Sequence, residues 1–506
     1  MKKKNTLVQI AEGVLCLVLL ATMTTVDAQQ AKYKMTTDIP VGITMPDSVK
    51  TRLGTLRFFD GYPDKATVQA LYDNLDFQRA VQAFLSALPV AQHFSIRTGL
   101  RSFGPDNQTV LITASLLDSH SLLAGGNTET IYNFVWLDTK EGPLVIEMPS
   151  HVLGMINDFW GHYVADVGNA GPDKGKGGKY LLLSPGYTGD VPEGYFVLRS
   201  HTYGNWFFFR GFIVEGDPRP SVENIKQHYR VYPLARAANP PAMGFVNVSA
   251  KYFNTLPAFD ASFFEHIATV VQEEPLDAID PETRGLLAAI GIRKDRPFAP
   301  DARMKQILAE AATVGSATGR AVAYDTRDRD AYYYPNSTWK MGWTGGHNFS
   351  PDDVLKLDAR IMYFYLAWGV SPAMTTKMVG IGSQYAYTQF DAAGNYLDGG
   401  KTYRLHLPPN IPAKDFWSLL VYDPQTRSML QTDQQFPSTG SQKKGIIINP
   451  DTSVDVWFGP EALPGKEANW IQTIPGKGWW VTLRLYGPLE PWFDKTWRPG
   501  EIELIK

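Results

Sequence analysis

Cysteine is nearly absent from this chain: Cys16 is the only one in 506 residues. It lies within the short apolar run Val14–Ala21, behind the basic start Lys2, Lys3 and Lys4, and ahead of the small residues Val26 and Ala28. That pattern reads as a secretory signal over residues 1–28. Gly13, Val14 and Leu15 before Cys16 do not make a lipoprotein cleavage site, so the mature chain is expected to have no cysteine. Disulfides, a thiolate nucleophile and a thiolate metal site are then excluded. No apolar run reaches the roughly 20 residues needed to cross a bilayer, so no membrane span is expected after signal removal. The formal charge is only −3 and no basic patch stands out, which argues against nucleic acid as a partner.

Recognisable catalytic motifs are missing too. The nine histidines form neither H-E-x-x-H nor H-x-H, so no metal site is expected. There is no G-x-S-x-G elbow, and the S-x-x-K matches at Ser337/Lys340 and Ser441/Lys444 lack an accompanying K-T-G. The glycine-rich "GNAGPDKGKGGKY" lacks Walker spacing and runs into a strand, which suits a hairpin loop better than a phosphate cradle. No cofactor is expected.

What the chain does have is aromatic and β-branched residues, with 13 Trp, 24 Tyr and 26 Phe, enough to build large β cores. Residues 29–94 read as an N-terminal helical segment, from the spacing of Val68, Leu71, Leu75, Val81, Phe84, Leu85 and Leu88, with Pro89 as its stop. Residues 95–216 read as a first β domain, with runs such as "TVLITASLL" and "YFVLRSHTYGNWFFFRGF". Residues 217–375 read as a helical middle region containing an aromatic loop at 331–349, and residues 376–506 as a second β domain. The class is therefore mainly β with helical additions, an α+β arrangement.

The two β regions repeat features in the same order. "INDFWGHYVAD" and "AKDFWSLLVYD" share D-F-W, and "VLRSHTYG" and "TLRLYG" each follow a P-G turn. Read this way, Asp158 matches Asp415, Asp166 matches Asp423, His162 falls opposite Leu419, and Arg199 matches Arg484. A repeated aspartate suits a turn needed in both copies. The strings "NTETIYNFVWLD", "INDFWGHYVADVG" and "NWFFFRGFIVEGD" resemble the domain-of-unknown-function family 1254. "LDGGKTYRLHLPPNIPAKDFWSLLVYD", "ANWIQTIPGKGWWVTLRLYGP" and "RPGEIE" resemble its partner family 1214. The resemblance implies two jelly-roll-like β-sandwich domains, a double jelly roll like that of some viral capsid proteins. It implies no reaction, cofactor or catalytic residue.

Candidate chemistry rests on residues that the repeat leaves unmatched. Glu129, His162, Asp166 and His201 are the acid/base candidates, with Glu129 and His162 as the proton-transfer pair of a hydrolase or isomerase should they meet in one pocket. The plainer reading of His162 is that it satisfies Asp158 or Asp166. Arg210, outside the matched segment, is free to bind an anion. Tyr333, Tyr334, Trp339 and Trp343 sit among loop-forming residues and are candidates for binding a carbohydrate, a small apolar molecule or a neighbouring subunit, the alternative being that the loop folds back over the junction between the two β domains. An exported protein, periplasmic or secreted, is expected, with ligand binding or assembly as its role and homo-oligomers through its aromatic-rich sides. A structural oligomer like the double-jelly-roll capsid proteins is the third reading, resting on fold analogy.

Overall fold

The computed structural model describes residues 33–505; the signal segment and Cys16 lie outside them. The chain forms two compact units, Met1–Leu71 and Tyr72–Lys506. In the first, β1 (Ser48–Thr51), β2 (Gly54–Phe59) and β3 (Tyr62–Pro63) form a small antiparallel sheet. The expected helical segment thus opens with strands. Helix α1 (Lys65–Ser86) follows, then α2 (Leu88–Arg101). Pro89 was expected to stop a helix but sits in the first turn of α2, where its missing N–H has no intrahelical partner to lose.

The first sandwich is built from β4 (Thr109–Ile112), β5 (Thr130–Asp138), β6 (Leu144–Met148), β7 (Val152–Asp158), β8 (Tyr163–Gly168), β9 (Gly178–Leu183), β10 (Phe196–Arg199), β11 (Gly204–Phe212), β12 (Arg230–Pro233) and β13 (Gly244–Asn247). One sheet has the order β13-β4-β5-β11-β7-β8, the other β10-β9-β6-β12. Their inner faces share one core containing Val135, Ile146, Ile156, Leu182 and Phe207. The odd–even alternation of β5 and β11 turns Tyr132, Phe134, Trp136, Trp206 and Phe208 to the other side. There they pack with residues of the helical region.

The helices are α3 (Arg219–His228), α4 (Ser262–Glu273), α5 (Pro281–Ala289), α6 (Ala302–Tyr324), α7 (Leu357–Leu366) and α8 (Pro372–Thr375). Asp280 and Asp301 cap α5 and α6 by accepting from Thr283 N and Met304 N. The second sandwich follows: β14 (Ser383–Thr388), β15 (Tyr403–Leu407), β16 (Ala413–Tyr422), β17 (Ser438–Gly440), β18 (Val454–Gly459), β19 (Trp470–Gln472), β20 (Trp480–Pro488), α9 (Glu490–Phe493) and β21 (Ile502–Leu504). Its sheets have the orders β14-β20-β16-β17 and β19-β18-β15-β21.

These orders show a duplication. Replacing β5, β11, β7, β8 by β14, β20, β16, β17, and β10, β9, β6, β12 by β19, β18, β15, β21, reproduces one sandwich from the other. The correspondence extends to the parallel pairs β9/β10 and β18/β19. Register corrects the matching drawn from D-F-W. Arg210 on central β11 opposes Tyr132 and Leu153; Arg484 on central β20 opposes Tyr385 and Ser418. Counting five residues on from Leu153 and from Ser418 reaches Asp158 and Asp423. Both begin an equivalent turn, accepting from Trp160 N at 2.9 Å and Gln425 N at 2.6 Å. D-F-W instead straddles the end of β7 and the start of β16, and Arg199 is an exposed residue on edge strand β10, so neither is a true match of its supposed partner. The counterpart of Arg484 is Arg210, and that of His162 is Arg427.

A fully buried asparagine ties β7 to the segment after α7: Asn157 Nδ2 donates to Val370 O at 2.9 Å, and Val370 N donates back to Asn157 Oδ1 at 3.2 Å. Asn157→Ala would leave both backbone groups buried and unpaired, a loss of about 2–4 kcal/mol. The urea midpoint should fall with an unchanged m-value; an unaltered midpoint would show that the tie contributes nothing.

Candidate functional site

The outer faces of the two large sheets belong to one hydrophobic cluster with the helical region, which includes Phe208 from the first sandwich and Leu420, Tyr422 and Trp480 from the second. Between them lies a cavity of about 120 Å³. Most of its wall is apolar, including Met155, Phe208, Trp343, Trp368 and Trp480, but Arg210 and Arg484 also line it, with Tyr132, Tyr385 and Asp166. Each arginine sits on the central strand of its sheet, opposite a tyrosine of the neighbouring strand. The duplicated architecture therefore brings two Arg–Tyr pairs together face to face.

Both arginines are buried, at 7% and 5% exposure. Arg484 Nη2 donates to Gly125 O at 2.6 Å and to Tyr422 Oη at 2.7 Å, while its Nε has no acceptor. Arg210 Nε likewise has none. Among the described residues, Arg210 and Arg484 form no ion pair with a carboxylate. The Arg484 guanidinium carbon lies 5.0 Å from the Tyr385 ring centre, and that of Arg210 lies 6.0 Å from the Tyr486 ring centre. Burial alone would raise the Tyr385 hydroxyl pKa, but Arg210 and Arg484 together outweigh it and hold it below the ordinary phenol value. Tyr486 is pushed well above that value by burial.

Glu129 is the carboxylate whose charge Arg484 feels. Its Oε1 accepts from the Thr128 hydroxyl and its Oε2 is buried without a partner; burial raises its pKa. It is therefore an incomplete counter-charge for two guanidiniums. Asp166, on β8, is 8% exposed, and burial lifts its pKa to about 6 against the opposing pull of Ser371 and Ala373 N. Such a wall can hold an anion between the guanidiniums and steady negative charge that develops there.

Of the residues singled out from sequence, Arg210, Asp166 and Trp343 line this cavity. Glu129 lies behind it at Arg484. His162 lines a different cleft, of about 620 Å³, with His347, Asp280 and Arg360. There its Nδ1 meets Asp158 Oδ2 at 2.9 Å, the satisfied pairing that was its plainer reading. No hydrogen bond or shared cavity wall joins Glu129 to His162, because they sit at different ends of the first sandwich's outer face. His201 is exposed in the β10–β11 loop and lines neither site.

The aromatic loop is not an exposed surface. Tyr333, Tyr334 and Trp339 are 6%, 5% and 0% exposed and belong to the core of the second sandwich. The cause is backbone pairing: Lys340 and Tyr387 exchange N–H···O bonds of 2.9 Å, so the loop adds to the edge of β14 and its rings turn inward. The Tyr333 hydroxyl donates to Tyr385 O at 2.9 Å, which fixes the backbone that presents the Tyr385 side chain.

Sequence reasoning missed Arg484, Tyr385, Tyr422 and Tyr486. One signal was available: an arginine in the middle of "WVTLRLYGP", a run otherwise apolar enough to be a buried central strand, needs a reason to be there.

Among the described residues no three His, Asp or Glu side chains converge to hold a metal ion, and no helix is long and apolar enough to cross a membrane. Residues 107–233 match the model of a family of proteins of unknown function, DUF1254, and residues 382–490 match that of a second such family, DUF1214. The two matched segments fall on the two sandwiches. No protein of curated function matches the chain. Among solved structures, the VPA0106 protein from Vibrio parahaemolyticus is similar, with a TM-score of 0.53 at 17% identity over 85% of this chain and 100% of that one. An uncharacterised protein from Burkholderia cenocepacia aligns with a TM-score of 0.39 at 12% identity over 87% and 97%. The first likeness is one of fold alone.

The pKa of Asp166 links the site to stability. Its folded value of about 6 exceeds the unfolded 3.8, so the folded state holds this proton more tightly and loses stability as pH rises through that window. Asp166→Asn removes the effect. At pH 8 the variant should melt roughly 2–4 °C above the wild type, and the difference should vanish by pH 4; a constant offset across this range would refute the assignment.

Proposed function

We propose that this protein binds a small organic carboxylate, with a compact apolar or aromatic body, in the cavity between its two sandwiches. One observation carries the reading: two buried guanidiniums from facing sheets meet on the wall of an apolar cavity without a carboxylate paired to either. A buried charge left unpaired is costly, and a bound anion is the group that would compensate both. Arginine's planar fork suits a carboxylate, and apolar walls with few convergent polar groups are what small-molecule sites are made of. The volume limits the body to one ring at most, since about 120 Å³ is less than the roughly 150 Å³ of a cavity that admits benzene.

The two sandwiches are read as jelly-roll-like units that present one face each to the ligand. Export is part of the proposal, on the strength of the basic start and apolar run ahead of Ala28. N-terminal sequencing of the protein recovered from its native cells should begin at Gln29; an intact Met1 would count against export.

Benzoate is the simplest probe. Calorimetric titration should give saturable binding that weakens about 10-fold or more in Arg210→Gln, while His162→Ala, in the other cleft, leaves it unchanged. Absence of benzoate binding, or binding indifferent to Arg210→Gln, would overturn the proposal.

A further inference from the structure

The cavity has two unlike ends. Asp166 opposes Met155 on β7, Met155 opposes Phe208 on β11, and Phe208 shares its face with Arg210 two residues on. Asp166 and Arg210 therefore look into the same space from one sheet. They are separated by two strand spacings and two residues of rise, about 12 Å between Cα atoms. Arginine's long stem closes much of that distance, which leaves room for about one ring between guanidinium and carboxyl. Leu153, Met155 and Phe208 floor the gap, and Trp343 and Trp368 stand on the same wall.

Asp166 is held in place by neighbours on the same cavity wall, Ser371 and Ala373. Ser371 and Ala373 N hydrogen-bond to it, and the Tyr163 hydroxyl donates weakly to its Oδ2 at 3.5 Å. The same hydroxyl accepts from Asp166 N at 2.9 Å. These contacts fix the carboxyl's position, and among the described residues no cation pairs with it. A carboxylate accepts at about four lone-pair sites, so these three donors leave capacity for about one more. An acid fixed by its surroundings, buried, without a cation and turned to an apolar space is placed to receive a donor from whatever occupies that space.

Resting on the carboxylate reading above, we infer that Asp166 selects the ligand: the preferred anion carries a hydroxyl or amino donor on the side of its apolar body opposite its carboxylate, as a para-hydroxy or para-amino aromatic acid does. Arg210 and Arg484 hold one end and Asp166 accepts from the other. A ligand of the same size without the donor leaves the Asp166 carboxyl facing apolar atoms, which is how a buried polar group discriminates strongly between near-isosteres.

Calorimetry with 4-hydroxybenzoate and the size-matched 4-methylbenzoate tests this. In the wild type the hydroxy acid should bind about 10-fold or more tightly than the methyl acid, the range of a hydrogen bond to a charged group. In Asp166→Asn and Asp166→Ala most of that preference should disappear through weaker binding of the hydroxy acid. Equal affinities in the wild type, or an Asp166 variant that weakens both acids alike, would overturn the inference while leaving the carboxylate site standing. If neither acid nor benzoate binds, the carboxylate reading itself falls. The wild-type comparison decides alone should either variant fail to fold.

Discussion

Two guanidinium charges held out of water, on facing sheets, are the constraint around which the centre of this molecule is arranged. Arg210 and Arg484 sit on the central strands of duplicated sheets, each with a tyrosine across from it, and carbonyls of the Gly125–Gly126 turn reach over to Arg484. Five phenols, Tyr132, Tyr385, Tyr422, Tyr486 and Tyr363, crowd the same region. Their hydroxyls and ring faces soften the cost of the charges without cancelling them. Glu129 is close enough to feel Arg484 but is itself pushed towards its neutral form. Two buried guanidiniums thus face one cavity with no carboxylate paired to either, and an anion is the natural complement.

The helical middle region supplies much of the wall of that cavity. Helix α7 and the segment after it supply Tyr363, Trp368 and Gly369 to the cavity wall, and the Asn157–Val370 pair holds that segment to β7. Gly369 is needed there: a Cβ would meet Trp206 at 2.4 Å and Met155 at 2.5 Å. The aromatic loop contributes from the other side, pairing with the edge of β14 and fixing the backbone of Tyr385. Both segments act as parts of the wall.

Much of the fold was legible in the sequence. Alternation and turn residues marked the β regions, and helical spacing marked the middle region. The duplication was legible too, but through the wrong residues: D-F-W is the more conspicuous string, yet it occurs at opposite ends of β7 and β16, whereas the strand pairing that defines the repeat is not written in adjacent letters. Arg210 could be singled out only because it falls outside the segments matched through D-F-W. Arg484 was set aside because a chance local match to Arg199 gave it a structural reading. The loop aromatics were misplaced because Pro, Asn, Ser and Gly report irregular backbone, not exposure, and an added edge strand can turn such rings into a core. That Glu129 and His162 part company depends on which strand ends face which sheet, a long-range fact with no local signal.

The central claim is that the unpaired charge of Arg210 and Arg484 is completed by a bound carboxylate. A crystal structure grown with benzoate tests it most directly. The expected result is density for a planar carboxylate with its oxygens between the two guanidiniums and its ring against Phe208 and Trp343. Benzoate located instead in the cleft of His162 and Arg360, with the central cavity filled only by ordered water, would contradict it.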